Sequence, residues 1–247
     1  MSAVEERHGQ RLRLGVGICA LDEEEGLGRL LPRLMGEGPD RADVVVVADG
    51  GSADRSREVA RENGALLLDG ARGRGPQLVA TAERLLEEGV DVLLFLHADS
   101  LPGDGALAVV RDAFADPQLV AAGMKQRVDA AGRVFRWVER AADGRVRRGM
   151  VFGDSALSVR ASEYVAVGGF EPLPLFEDVE LSDRLRRRGP IKLLEGAEIL
   201  VCARRWEQEG VLRCTLRNWI LRALHRSGVA PRHLARLYRP FRRASAR

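Results

Sequence analysis

Four clusters in this chain combine residue types that can hold phosphate, bind a hard metal ion or move a proton. Asp49-Gly50-Gly51-Ser52-Ala53-Asp54 follows a valine run. Its glycines let backbone approach a ligand closely, and the N-terminus of a following helix favours anions. An aspartate at that point can also accept hydrogen bonds from a base or a ribose hydroxyl. Arg72-Gly73-Arg74-Gly75-Pro76 offers two guanidinium forks and exposed backbone N–H groups, which suit phosphate. His97-Ala98-Asp99 ends an apolar run, where a carboxylate can hold Mg²⁺ or Mn²⁺ while a diphosphate supplies the remaining oxygens. Glu177-Asp178-Val179-Glu180-Leu181 follows a proline-containing loop and opens a helix. Acids there complement the helix dipole, and they could equally present a general base to a bound substrate.

The elements that must position these clusters follow from the apolar pattern. Val- and Leu-rich runs at Leu14–Cys19, Val44–Ala48, Ala65–Leu68 and Val92–Leu96 alternate with helical stretches at Glu24–Met35, Ser52–Asn63 and Pro76–Glu88. Short runs apolar on both faces and separated by helices predict buried parallel strands in βαβ units. Ser52 is expected to cap its helix, with Asp54 in the first turn, and Gly36 and Gly64 fall where C-caps belong. In such doubly wound sheets the ligand crevice lies beyond the carboxyl ends of the strands. Asp22-Glu23-Glu24, the Asp49 turn, the stretch from Asp69 to Gln77, and His97–Asp99 all sit there.

The second half predicts strands at Val120–Gln126, Ile191–Leu194 and Ile199–Ala203, and a strand or turn at Ala156–Val159. Helices are expected at Val134–Arg147, Ala161–Val167 and Asp178–Arg188, with a last helix from Val211. No repeat or low-complexity linker divides the 247 residues, so a single α/β domain is expected. Within it, a first half of about 13–100, a second half of about 101–205 and a helical tail of about 206–247 are expected.

Cys19, Cys202 and Cys214 are odd in number and lack CxxC spacing, which argues against a disulfide framework or a zinc finger. Met1–Arg13 carries acids where a signal peptide would be basic and then apolar, so a cytoplasmic location is expected. The net charge of +3 hides an asymmetry: from Arg204 onward there are twelve arginines and two acids. Val211, Leu212, Thr215, Leu216, Trp219, Ile220, Ala223 and Leu224 recur at helical spacing, with arginines over much of the rest. Such a helix either packs on its own domain or on a second subunit, giving a homo-oligomer, or lies on an anionic membrane at its inner face. No nucleic-acid partner is expected.

Taken in order, the clusters resemble the family 2 glycosyltransferases of GT-A fold. DGGSAD, RGRG, FLHAD, GDSALSVR, GGF, EDVELSDRLRRRG and ARRW run from about Arg13 to Tyr238. The likeness is greatest to a bacterial branch described as radical-SAM/selenodomain-associated transferase 2. This resemblance implies a Rossmann-like, mostly parallel sheet flanked by helices, with an added C-terminal amphipathic helix. It also implies inverting transfer of a sugar from a nucleoside-diphosphate donor, with UDP expected, to an acceptor hydroxyl, assisted by Mg²⁺ or Mn²⁺.

Residue by residue, the resemblance puts Glu23, Asp49 and Gly50 at the donor's ribose and base, and Arg74 at the base or phosphates. Asp99 would bind the metal, while His97 stands where the family's first metal-motif aspartate usually is. Asp178 would be the catalytic base with Glu177 beside it, Gly153 and Asp154 would lie near acceptor or sugar, and Arg204, Arg205 and Trp206 would close over the diphosphate. The residues by themselves leave open a sugar-nucleotide nucleotidyltransferase, or a nucleotide-binding or membrane-docking protein without catalysis.

Overall fold

A computed structural model describes residues 11–38 and 40–238. The acid-bearing segment 1–10 and the last four arginines of the basic tail lie outside the described residues. The first half is built as β1 (Leu14–Ala20), α1 (Glu24–Met35), β2 (Val44–Asp49), α2 (Ser56–Glu62), β3 (Leu66–Asp69), α3 (Arg74–Glu87) and β4 (Val92–His97). These four strands pair in parallel, with Gly17 opposite Val46 on one side and Phe95 on the other.

β1, β2 and β4 are buried on both faces and the edge strand β3 only partly, and the period of two sorts their side chains into two cores. Val16, Ile18, Val45, Val47 and Leu94 pack against Leu27, Leu30 and Leu34 of α1. Val46, Leu93 and Phe95 face the opposite side and pack against Leu78, Ala82 and Leu85 of α3. Two-sided burial is why these segments read as unbroken apolar runs.

The chain continues through β5 (Leu101–Pro102), α4 (Ala106–Phe114), β6 (Ala121–Val128), α5 (Arg133–Arg147), a 3₁₀ turn at Gly153–Ser155, β7 (Ser158–Arg160) and α6 (Ala161–Ala166). It ends with α7 (Glu177–Leu185), β8 (Ile191–Val201), α8 (Arg204–Glu209), α9 (Val211–Arg226) and α10 (Pro231–Leu237). The sheet order is β3-β2-β1-β4-β7-β6-β8-β5. β7 runs antiparallel to β4 and β6, and β5 antiparallel to β8, while β6 and β8 pair in parallel.

Several expectations are corrected. The helix expected at Ser52 starts at Ser56, because loop hydrogen bonds hold the intervening chain: Ala53 N–H donates to Asp22 and Ser56 N–H to Asp54. Gly36 closes α1 with φ −62°, so it is not a left-handed cap. The two strands expected at 191–203 are one strand, β8. Its interior acids Glu195 and Glu198 face out and pair with Lys125 and Arg127 of β6. β5, α4, α8 and α10 were not expected, so the helix from Val211 is not the last among the described residues.

The α9 stripe does not pack on its own domain. Cys214 and Leu221 are the buried residues of α9, while Leu212, Leu216, Trp219, Ile220 and Leu224 are exposed.

Candidate active site

Three distant segments meet beyond the carboxyl ends of the central strands. The segment after β3 turns into α3 at Arg74, so Arg74 belongs to the first helical turn and not to a free loop. Its guanidinium reaches Glu177 Oε1 at 3.1 Å and Asp178 Oδ2 at 3.4 Å. It therefore points at the acid pair. Asp178 also accepts the Gly153 N–H at 3.0 Å.

Two close approaches hold this corner. A Cβ at Gly75 would overlap the backbone of Leu173, so the loop leading into α7 rests directly on the start of α3. A Cβ at Gly153 would overlap the Arg74 guanidinium and come within 3.1 Å of His97 Nε2. Space requires glycine at 75, where the neighbour is backbone, while at 153 an added methyl would displace the end of the Arg74 side chain.

The corner separates its two acids electrostatically. Glu177 is 2% exposed, and burial pushes its carboxyl up, with Arg74 opposing and Asp178 adding to the rise. Asp178 is also buried, but Arg74, the Gly153 N–H, His97 and Arg145 outweigh that penalty and hold it below the ordinary carboxylate range. The Asp178 side chain keeps 13% exposure, so the ionised member of the pair is the one that reaches the surface. The two carboxyls are thus pushed in opposite directions, Glu177 up and Asp178 down, and they titrate as a pair. Burial, and then Arg74, also lower His97, leaving it a neutral imidazole at pH 7 despite Asp99, Asp154 and Asp178 nearby. Burial pushes the Cys19 thiol, beneath Arg74, up to about 12, so it is no nucleophile.

Asp99 lies beyond β4 on the other flank of His97, and its carboxylate is exposed. It lines an open cleft together with Glu25, Arg29, Asp129, Cys202 and Arg204. Carboxylate oxygens from Asp99, Asp129 and Glu25 are the donor type a hard divalent cation prefers. Among the described residues no group of three potential ligands converges to hold an ion alone, so a cation here must take oxygens from its ligand as well.

The remaining expected donor contacts are placed differently. Asp49 is 1% exposed and is used by its own turn: it accepts the Gly51 and Ser52 N–H groups and the Ser52 hydroxyl, and Arg57 lies 3.6 Å away. A direct bond from Asp49 to a base requires giving up part of that set. Gly50 donates its N–H to Ala20 O at 2.9 Å. Glu23 precedes α1, and its backbone N–H donates to the Ser56 hydroxyl, which ties the first two strand-end loops together. Arg205 does not face the Asp99 cleft as Arg204 does: it pairs with Glu209, bonds Tyr238, and stacks 4.3 Å over that ring. Trp206 packs edge-on against Phe135, with ring centroids 6.4 Å apart, as part of the core. Asp154 pairs with Arg145, whose guanidinium lies 4.4 Å over Phe152.

Residues that motif reading missed close the corner from above. Arg222 of α9 sits 5.0 Å over the same Phe152 ring. His225 stacks on Phe176 at 4.9 Å and is 2.7 Å from Glu180. Tyr238 lies near enough to affect Arg74. No local signal marks these residues, since each belongs to the basic tail and acts only once α9 is folded back.

No protein-family model matches the chain, and no curated protein sequence matches it. Solved structures do resemble it. A mannosyltransferase of Pyrobaculum calidifontis in complex with GDP-Man and Mn²⁺ is 17% identical with a TM-score of 0.64, over 90% of this chain and 67% of that one. S. aureus TarS 1–349 in complex with UDP-GlcNAc is 16% identical with a TM-score of 0.61, over 77% of this chain and 58% of that one. Glucosyl-3-phosphoglycerate synthase of Mycobacterium tuberculosis, with Mn²⁺, UDP and phosphoglyceric acid, is 17% identical with a TM-score of 0.55, over 77% and 69%. The likeness lies in the curled, mostly parallel sheet flanked by helices, and the chain has the GT-A fold.

Proposed function

We propose that this chain is a glycosyltransferase that moves a sugar from a nucleoside-diphosphate donor, UDP-linked by preference, to an acceptor hydroxyl with inversion. The observation that carries the reading is the Asp178 carboxylate: ionised, partly exposed and held by Arg74 and Gly153 at the mouth of a GT-A crevice. The neighbours of this fold named above were crystallised with GDP- or UDP-linked ligands, which supports the donor class.

In this reading Asp178 takes the proton of the acceptor hydroxyl as its oxygen attacks the anomeric carbon. The bond to the diphosphate oxygen breaks on the opposite face, and the nucleoside diphosphate leaves. Arg74 holds the two carboxylates apart in charge and keeps Asp178 ionised. Arg204, across from Asp99, offers its guanidinium to the departing diphosphate. A Mg²⁺ or Mn²⁺ ion held at Asp99, with Asp129 and Glu25 lining the same cleft, would supply further positive charge to that diphosphate. Gly153 and Asp154 border the acceptor side. Glu23, Asp49 and Gly50 serve the donor by shaping the loops under its nucleoside.

A cytoplasmic location belongs to the same reading and is supported by three free thiols. No helix of the described residues is long and apolar enough to cross a membrane. The test is a panel of UDP- and GDP-sugars with Mn²⁺, scored for donor hydrolysis or transfer. Release of nucleoside diphosphate is expected. Release of pyrophosphate from a nucleoside triphosphate and a sugar phosphate would assign the site to nucleotidyl transfer, and nucleotide binding without turnover would leave a binding protein.

A further inference from the structure

The outward side of α9 carries Leu212, Leu216, Trp219, Ile220 and Leu224, with exposures from 36% to 78%. This face does not end at the helix. Trp137 of α5, 46% exposed, meets Trp219 with ring centroids 6.4 Å apart, so the two helices present one apolar surface. Contiguous exposed apolar surface of this kind marks an interaction site.

The exposed charges on these two helices have one sign. Helix α9 contains no acid, and both acids of α5 are turned inward to hold β6: Glu139 accepts the Val128 N–H, and Asp143 accepts the Gln126 N–H. Arg133, Arg140 and Arg213 are exposed and make no ion pair among the described residues. Apolar residues centred on two tryptophans, flanked by unpaired arginines and with no exposed carboxylate on either helix, match the interfacial layer of an anionic bilayer. A second copy of the chain is a poorer match, because a two-fold contact would set arginines against arginines.

We infer that the joint outer face of α5 and α9 docks on an anionic lipid surface. The inner face of the same helix α9 carries Arg222 and His225 against Phe152 and Phe176, so the docked helix is also one wall of the candidate active site. The inference stands on the exposed face alone and does not require the transfer chemistry, so either can fail without the other.

Vesicle flotation tests it. The full chain is expected to float with phosphatidylcholine vesicles containing phosphatidylglycerol, to stay behind with pure phosphatidylcholine, and to be released by salt. The double variant Leu216→Ser/Trp219→Ser should lose about tenfold or more in partitioning, with circular dichroism and melting temperature unchanged. Arg133→Glu/Arg140→Glu/Arg213→Glu should abolish the preference for phosphatidylglycerol without touching the apolar residues. A Trp137→Phe/Trp219→Phe variant, which keeps Trp206, should lose the blue shift in emission that vesicles induce. No flotation, or equal flotation on neutral and anionic vesicles, would overturn the inference. So would a lipid-free dimer that Leu216→Ser/Trp219→Ser dissociates, which would give this face to a second copy.

Discussion

Two regions on either side of His97 are both rich in charge, but they are organised in opposite ways. In the corner around Arg74, every carboxylate already has a protein partner, and one cation serves two acids. In the cleft around Asp99, carboxylates and Arg204 line an open space without converging. The groups of the corner are paired with one another, which suits a group that must hold one protonation state and one position. The cleft leaves its charges to be matched by what enters, which suits a diphosphate arriving with its cation. A rigid base beside an adaptable anion site is the division of labour that a displacement at a sugar carbon needs.

The comparison breaks most completely if the corner proves dispensable. Asp178→Asn keeps the size and the acceptor for the Gly153 N–H but removes a base, so sugar transfer should fall by roughly 10²–10⁴-fold. Donor affinity and melting temperature should stay near those of the native chain. Glu177→Gln, which replaces the more deeply buried acid of the pair and leaves the base in place, should lose much less. Near-native transfer by Asp178→Asn would return both acids to helix capping.

The cleft should respond in binding. Calorimetric titration of UDP in saturating Mn²⁺ is expected to show Asp99→Ala weakened by at least about tenfold, the loss seen even for an outer partner of a metal ligand. Equal affinities would remove the cation from Asp99.

How much of this was legible in the sequence differs between the same two regions. The strands β1 to β4 and helix α1 were readable within a residue or so, because two-sided burial and helical periodicity are local patterns. Asp99 and Asp178 stood out as candidates in the sequence because one follows a strand and the other opens a helix, each at a recognisable motif. The bond from Arg74 to Asp178 was not, since the two are separated by 104 positions and RGRG reads as a phosphate loop until α3 is seen to begin at Arg74. Gly153 stood out only as part of the GDSALSVR motif, and nothing local showed that Arg74 and His97 would pack against it. The amphipathic stripe of α9 was visible, but its sidedness was not. Which face turns inward is decided by Arg222 and His225 finding Phe152 and Phe176, contacts between residues far apart in the chain.

A subtler change sharpens the claim that the groups of the corner are paired with one another. In Gly153→Ala the added methyl meets the end of the flexible Arg74 side chain, so the guanidinium should move while the fold survives. Asp178 then loses part of what holds its carboxyl low, and that carboxyl should rise toward the ordinary value of 3.8. An ionised base is required, so activity falls as pH drops through its value. The acid limb of kcat/KM should therefore lie below the ordinary range in the native chain and move to higher pH in the variant. A loss of about tenfold in kcat at neutral pH is expected from the misplacement alone. An unchanged acid limb would show that Arg74 and Gly153 do not set the charge of Asp178.

The smallest effect concerns the lid that α9 places over the corner. Glu180 lies 2.7 Å from His225, but its side chain is 38% exposed, so solvent screens the pair. Exposed pairs of this kind contribute about 0–1 kcal/mol, and Glu180→Gln can still bond the imidazole. The variant should melt within a few degrees of the native chain and transfer sugar at nearly its rate. His225 also stacks on Phe176, the residue before the acid pair, so α9 keeps a second hold on the corner when the first is weakened. His225→Ala removes both holds and should lose more than Glu180→Gln in both measurements. If the two variants behave alike, the ring stack contributes nothing, and α9 is held over the corner by Cys214, Leu221 and Arg222 without help from His225.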